Sequence, residues 1–102
     1  MINTGNKPLA TTPVVGAATS IATGGVAVTV FAAGSIVDVA DIVNPPTATE
    51  PLYVDLVHVA SIGSSSSIPL QPGQSYRVSG PITTAVTAVA ATSGHSFVAV
   101  RY

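Results

Sequence analysis

The sequence predicts an all-β protein, a small antiparallel β-sandwich of the jelly-roll or Ig-like kind with an extended N-terminal arm. From Gly25 onward the chain consists of short runs rich in valine, isoleucine and threonine, which favour strands. Turn residues separate these runs at intervals of about ten residues, the spacing of a sandwich or barrel. The length of 102 residues suits one domain. We therefore expect a β-sandwich domain at residues 25–102 and an arm at residues 1–24.

The predicted arm, MINTGNKPLATTPVVGAATSIATG, is small and polar, and proline and glycine interrupt it before any strand or helix period is established. Such a segment cannot fold alone, but it can lie along a partner and add strand hydrogen bonds to an exposed sheet edge. A disordered terminus is the alternative. The apolar residues of the segment favour a docking arm, and the candidate docking residues are Leu9, Val14, Val15 and Ile21.

The first two strands are predicted at residues 26–32, where valines alternate with other residues, and at residues 36–43. The second run ends at Asn44-Pro45-Pro46, because proline lacks the N–H that a strand ladder needs. Asp38 and Asp41 would lie on opposite faces of an unbroken strand. One of them must therefore lie at a bulge, an edge or an exposed face, since an unpaired buried carboxylate is costly.

The third run, LYVDLVHV at residues 52–59, has the clearest alternation of the chain. One face of this strand carries Leu52, Val54 and Leu56, which we assign to the core. The other face mixes a carboxylate with apolar side chains, a composition that suits a contact between subunits. The candidate subunit-contact residues on it are Tyr53, Val57 and Val59.

The remaining elements follow a reversal at Pro72-Gly73, where proline presets φ and glycine accepts a positive φ, as a type II turn requires. The chain should then run back as a strand at residues 75–78. ITTAVTAVAA, at residues 82–91, also fits a helical stripe, but its threonine and valine content favours a strand. SFVAVRY, at residues 96–102, is the last predicted strand.

Charge is scarce: charged residues make up 7% of the chain, hydrophobic residues make up 47%, and the formal net charge is -1. An ordinary domain has about 25% charged residues, so this surface offers little repulsion against association, and we expect copies of the chain or a partner to cover it. The basic residues Lys7, Arg77 and Arg101 cannot form the positive stripe that nucleic-acid binding requires. Without cysteine, stability must come from packing.

Residues 8–37 carry no charge, but proline and glycine interrupt them, and the run VAVTVFAA is shorter than the roughly 20 residues of a spanning helix. The N-terminus also lacks the leucine-rich segment of a secretory signal. We therefore expect a soluble, unprocessed chain with no membrane partner.

Four consecutive serines at residues 64–67 raise the question of a nucleophile. A serine nucleophile needs a general base, an orienting carboxylate and an oxyanion hole, and the sequence places neither His58 nor His95 beside this tract. We therefore expect a solvated connecting loop and no enzyme. His58 is expected as a half-buried strand residue and His95 as an exposed turn residue.

No cofactor or metal site is predicted. The residues that could bind a metal show no recognised ligand spacing: they are Asp38, Asp41, Glu50, Asp55, His58 and His95. A histidine on the threefold axis of a trimer is the alternative that needs no local motif.

The order of VAVTVFAAG, DIVNPPTATEPLYVDL, IPLQPGQSYRV and ITTAVTAVAATSGHSFVAVRY resembles small virion proteins of tailed phages, in particular capsid decoration (cement) proteins and head-fibre bases. The resemblance covers residues 25–102. It implies a sandwich that trimerises or dimerises on the outer capsid surface after synthesis in the host cytoplasm, and that clamps copies of the major capsid protein. The same sandwich also occurs in tail and fibre proteins.

Two functional hypotheses follow. The first is a homo-oligomeric decoration protein, most simply a trimer, that uses residues 1–24 as its docking arm. The second is a receptor- or glycan-binding module of a fibre or tail, with the loops at residues 44–51 and 61–67 forming the contact. The sequence leaves open the partner, the oligomer number and the head or tail location.

Overall fold

The computed structural model describes residues 12–102, which form eight strands in two four-stranded antiparallel sheets. The all-β prediction is confirmed. The strands are β1 (Val14–Val15), β2 (Val28–Phe31), β3 (Val39–Val43), β4 (Leu52–Asp55), β5 (Ile68–Leu70), β6 (Ser75–Ser79), β7 (Val86–Val89) and β8 (Val98–Arg101). One sheet has the order β1-β8-β3-β6 and the other has the order β2-β7-β4-β5.

The strand pairing is that of a long hairpin rolled into a sandwich. The pairs β1–β8, β2–β7, β3–β6 and β4–β5 are those of the two arms of this hairpin. The pairs β3–β8 and β4–β7 form when the hairpin folds over, and they complete the two sheets. Eight strands in this order form a jelly roll, whereas an Ig-like sandwich divides its strands differently. The loop between β4 and β5, residues 56–67, is the tip of the hairpin, and we call it the serine loop.

The core lies between the two sheets and is built from alternate residues of most strands. Leu52 and Val54 of β4 point inward, as their spacing predicts, and Phe97 and Ala99 do the same at β8. β7 is central in its sheet and is buried along its whole length, so residues 82–91 contain a strand and no helix. The buried core cluster comprises Ile21, Val30, Phe31, Ile36, Ala40, Ile42, Leu52, Val54, Leu70, Val78, Val86, Ala88, Ala90, Phe97 and Ala99.

The predicted boundary between arm and domain at residue 24 is wrong. β1 pairs with β8, the Phe97 N–H donates to the Thr19 carbonyl over 2.9 Å, and the side chain of Ile21 is fully buried in the core. Residues 12–24 therefore belong to the sandwich. Their pairing with the rest of the sandwich is short and irregular, so the sequence shows no alternation of apolar and polar residues there. Residues 1–11, including the candidate docking residue Leu9, lie outside the described residues.

Because paired strands are antiparallel, each connection between consecutive strands lies at one of two opposite ends of the sandwich. The β1–β2, β3–β4, β5–β6 and β7–β8 connections lie at one end, which we call the Asn44 end. The β2–β3, β6–β7 and serine loops lie at the other, which we call the serine-loop end. The predicted turn at Pro72-Gly73 is confirmed, with Gly73 at a φ of 87° and a hydrogen bond of 2.9 Å from the Gln74 N–H to the Gln71 carbonyl.

Asp41 lies on the outer face of its sheet. This agrees with the expectation that Asp38 or Asp41 lies at a bulge, an edge or an exposed face. Its carboxylate accepts two hydrogen bonds of 2.7 Å from the guanidinium of Arg77, the residue opposite it on β6. Both partners keep contact with solvent. The hydrogen bonds and charge of Arg77 hold the pKa of Asp41 below its ordinary value, against a smaller opposing effect of burial. Asp38 is exposed in the β2–β3 connection.

Candidate functional site

The serine loop is organised around the carboxylate of Asp55, the last residue of β4. This side chain is fully buried, and it accepts hydrogen bonds on both of its oxygens. Oδ1 accepts from the N–H groups of Val57 at 2.8 Å and His58 at 2.7 Å. Oδ2 accepts from the hydroxyls of Ser66 at 2.6 Å and Ser67 at 2.9 Å. One carboxylate therefore ties together the start and the end of the loop.

The pKa of Asp55 shows which effect dominates at this site. Burial of the carboxyl group would by itself raise the pKa, because it penalises the charged form. The hydrogen bonds from the His58 N–H, the Ser66 hydroxyl, the Val57 N–H and the Ser67 hydroxyl together outweigh burial, and the pKa lies far below its ordinary value. Asp55 is therefore an ionised anchor at any physiological pH.

The expectation of a solvated serine loop is wrong for its last residue and for its base. Ser67 is buried, and its hydroxyl also accepts from the Ser61 N–H over 3.1 Å. The Ala60 N–H donates over 2.8 Å to the hydroxyl of Thr87 in the central strand β7. The loop is therefore fastened to the core from both sides, although Ser65 at its tip is exposed.

The same loop brings together a serine, a histidine and an aspartate, although no spacing in the sequence predicts that they meet. His58 Nδ1 lies 3.3 Å from Ser66 Oγ, and that hydroxyl donates to Asp55. In a catalytic triad the carboxylate binds the imidazole, and the imidazole takes the proton of the serine. Here the carboxylate binds the serine directly and no hydrogen bond joins its oxygens to the imidazole. This geometry fixes a loop and leaves the hydroxyl without an oriented base.

The candidate subunit-contact residues are placed differently from the prediction. β4 ends at Asp55 and not at residue 59, because the Asp55 carboxylate captures the next N–H groups and turns the chain. Tyr53 therefore stays on the strand, half-buried, while Val57 and Val59 project from the serine loop. Their side chains are 67% and 70% exposed, and Ile62 on the same loop is 46% exposed. We call Val57, Val59 and Ile62 the apolar loop surface.

The candidate arm residues also differ among themselves. Val14 and Val15 are exposed on β1, the edge strand, and border a cleft of about 240 Å³ between β1 and β2 that also contacts Arg101. They remain candidates for a partner contact. Ile21 is not available to any partner, because it is a core residue.

The second polar cluster lies at the Asn44 end and surrounds His95. The side chain of His95 is buried, so the expectation of an exposed turn residue is wrong. Its Nδ1 lies 3.1 Å from Oε2 of Glu50, and its Nε2 lies 2.8 Å from Oδ1 of Asn44. The Glu50 carboxylate also accepts from the hydroxyl and the N–H of Thr92, at 2.6 Å and 3.0 Å. These contacts join the β3–β4 connection to the β7–β8 connection. His58, in contrast, is an exposed loop residue.

A cleft of about 250 Å³ opens beside this cluster, between residues 45–50 and residues 92–96. Its lining is rich in hydroxyl groups, with Glu50 as the carboxylate, and contains no phenylalanine, tyrosine or tryptophan. The loop at residues 44–51 therefore does have a cavity beside it. The loop at residues 61–67 lies at the opposite end of the sandwich, because the two loops flank the two ends of β4. The expectation that these two loops form one contact is wrong.

Asn44, Ser66 and Ser67 organise these two clusters, and none of them was predicted from the sequence. One local signal existed: an aspartate at the end of a strand is well suited to accept hydrogen bonds from the N–H groups two and three residues later. Nothing local could connect Asn44 to His95, since 51 residues separate them.

Within residues 12–102 no group of three or more histidine, aspartate or glutamate side chains is arranged to hold a metal ion. In the same part of the chain, no helix has the length and apolar character needed to cross a membrane. Comparison with models of known protein families, with curated proteins and with solved structures gives no match for this chain.

Proposed function

We propose that this chain is a structural subunit without catalytic activity, which binds the outer surface of an assembled phage capsid as a homo-oligomer and stabilises the shell. The observation that carries the proposal is the apolar loop surface. Val57, Val59 and Ile62 are exposed on a loop whose base is fixed by a buried carboxylate. Exposed apolar residues held on an ordered loop are typical of protein interfaces.

The low charge of the chain supports association. With 7% charged residues and a net charge of -1, neighbouring copies repel one another only weakly. The apolar loop surface and the exposed edge residues Val14 and Val15 can then be covered by other copies or by the capsid. A trimer and a dimer both fit this description.

The fold and the resemblance support the virion assignment together. Jelly rolls occur in viral capsid proteins and also in lectins, so the fold alone does not choose a function. The likeness of residues 25–102 to decoration and head-fibre proteins favours the capsid. The major capsid protein would be the partner, and the chain would reach the virion from the host cytoplasm. Its few basic residues give no support to nucleic-acid binding.

The absence of catalysis is supported by the chemistry of the serine loop. The hydroxyls of Ser66 and Ser67 donate to Asp55, and the carboxylate that could orient a histidine is fully used by four donors. These groups stabilise the loop that carries the apolar residues.

A decoration protein of this kind acts by mass action. It binds the assembled lattice better than the free subunits, and so it shifts the equilibrium toward the assembled shell. Individual contacts can be weak, because each oligomer bridges several capsid subunits and its binding sites act together. Burying the exposed parts of Val57 and Val59 contributes about 1 kcal/mol for each residue.

Co-sedimentation with capsids tests the proposal. The wild-type chain should pellet with assembled shells of the major capsid protein from the same genome, and should remain in solution with the unassembled subunits. Val57→Asp together with Val59→Asp should weaken this binding at least about tenfold, since about 2 kcal/mol of apolar burial is lost. Val26→Asp is the matched control, because Val26 is also an exposed valine, at the Asn44 end. Equal binding by all three proteins would contradict the proposal.

The second candidate is a receptor- or glycan-binding module of a fibre or tail. It is supported by the cleft of about 250 Å³, whose hydroxyl-rich lining includes the Glu50 carboxylate. This cleft offers no phenylalanine, tyrosine or tryptophan on which a sugar ring could stack, which makes it the weaker candidate. Saturable binding of the labelled chain to host cells, competed by free glycan and unaffected by the Val57 and Val59 substitutions, would favour it over decoration.

A further inference from the structure

The ring of His95 lies between two acceptors, and this arrangement is not required by the function proposed above. Nδ1 faces the carboxylate of Glu50, which has no proton to donate when ionised. Nε2 faces Oδ1 of Asn44. A neutral imidazole carries one N–H donor and one acceptor, so it can satisfy only one of these contacts.

The orientation of the Asn44 amide is fixed independently of His95. Its Nδ2 group donates to the Leu70 carbonyl over 2.8 Å and to the Glu50 carbonyl over 3.0 Å. Turning the amide would give His95 a donor, but it would set Oδ1 against two carbonyl oxygens and lose both of these bonds. The side chain of Asn44 is fully buried, so water cannot replace a lost partner at low cost.

We propose that His95 is a proton-dependent link, doubly protonated when both contacts form, which holds the four connections of the Asn44 end together. In the doubly protonated ring both nitrogens donate, one to Glu50 and one to Asn44. Loss of one proton leaves one ring nitrogen with a lone pair that faces an oxygen acceptor, so one of the two contacts must open.

The link reaches all four connections at this end. Through Asn44 it reaches the β5–β6 turn, where the Gly73 N–H donates to the Asn44 carbonyl over 2.7 Å. The backbone of the β7–β8 connection reaches the β1–β2 connection, because the His95 carbonyl accepts from the Ile21 N–H over 2.9 Å. Glu50 is the only charged residue among residues 16–27, 44–51, 71–74 and 90–97, so no other charge in these connections competes for the ring.

The state of Glu50 is consistent with this assignment. Hydrogen bonds from Thr92 and from His95, with the charge of the ring, lower the pKa of Glu50 against the opposing effect of burial. The carboxylate is therefore ionised wherever an imidazole changes charge, between about pH 5 and pH 8. Over this range the charge of Glu50 stays constant, so a change in these contacts does not come from the carboxylate.

The direct test is an NMR pH titration of the wild-type chain labelled with ¹⁵N. At pH 5.5 both ring nitrogens of His95 should carry protons. As the pH rises to 8, loss of one proton should move the Asn44 side-chain amide signals and the backbone amides of residues 47–50 with the same midpoint. Loss of that proton without any change at Asn44, or a singly protonated ring throughout the range, would overturn the proposal.

Two variants separate the link from general pH effects. His58→Gln, at the opposite end, should preserve the pH response of residues 47–50. His95→Gln should abolish it, because a glutamine amide does not change charge. Loss of the response in His58→Gln, or an unchanged response in His95→Gln, would contradict the proposal.

Discussion

Replacement of Asp55 by asparagine tests the idea that one buried carboxylate builds the serine loop. The substitution preserves shape and removes charge. In the variant Oδ1 can still accept from the Val57 and His58 N–H groups, but an NH₂ group now faces the hydroxyls of Ser66 and Ser67. Hydrogen bonds to a charged group contribute about 1.5–3 kcal/mol each, and neutral ones about 0.5–1.5 kcal/mol. The two hydroxyls can rotate and accept hydrogen bonds from the NH₂ group, which compensates in part for the lost bonds. We therefore expect the free energy of unfolding to fall by about 2–4 kcal/mol.

The assay is chemical unfolding at pH 7, with Asp38→Asn as the control, because Asp38 undergoes the same chemical change on the exposed surface. We expect the control to lie within about 0.5 kcal/mol of the wild type. A typical domain has about 5–15 kcal/mol of stability, so the loss at Asp55 should be a large shift of the unfolding midpoint. An Asp55→Asn protein as stable as the Asp38→Asn control would refute the reasoning.

The sign of the pH dependence gives a second readout of the same residue. The folded state lowers the pKa of Asp55, so the carboxylate contributes stability that is fully present above the unfolded pKa of about 3.9. That contribution is lost progressively as the pH falls below this value. The wild-type chain should therefore lose stability on acidification below about pH 4 more steeply than Asp55→Asn does.

The remaining predictions concern the N-terminal segment and the sheet surface. Ile21→Ala should lower the free energy of unfolding by about 2–5 kcal/mol, because Ile21 is a core residue. Val15→Ala at the exposed edge should lower it by less than about 1 kcal/mol. Equal effects of the two substitutions in thermal unfolding would contradict the assignment of residues 12–24 to the sandwich. Gly24→Ala should lower stability by about 1–3 kcal/mol or more, since its Cβ would overlap the Ala91 carbonyl, and an unchanged melting temperature would contradict that close approach. Arg77→Ala should leave the midpoint of denaturant unfolding close to that of the wild type, because its pair with Asp41 is solvent-exposed. A large fall of the midpoint would contradict this.

The features that the sequence could predict are local ones. Alternation at Leu52 and Val54 marks a strand with one buried face, and Pro72-Gly73 marks a reversal through backbone geometry alone. The content of β-branched residues was sufficient to choose strand over helix for the run that contains β7. Each of these depends on residues within a few positions of one another, so a single sequence carries the information.

The features that could not be predicted depend on contacts between distant parts of the chain. His95 is buried because Asn44 and Glu50 reach it from another connection, and no spacing in the sequence records that meeting. Ile21 is in the core because β1 pairs with β8, and the residues after β1 form hydrogen bonds with the segment just before β8. At Val57 the period of β4 continues in the sequence, but the carboxylate of Asp55 ends the strand.

The most direct test of the structural role is sedimentation velocity of the purified chain over a range of concentrations, because it asks whether the apolar loop surface is covered by other copies. We expect a concentration-dependent dimer or trimer for the wild type and for Val26→Asp. We expect a monomer for the protein that carries both Val57→Asp and Val59→Asp. A wild-type chain that remains monomeric at all concentrations, or a double variant that assembles like the wild type, would contradict the claim that this surface joins subunits.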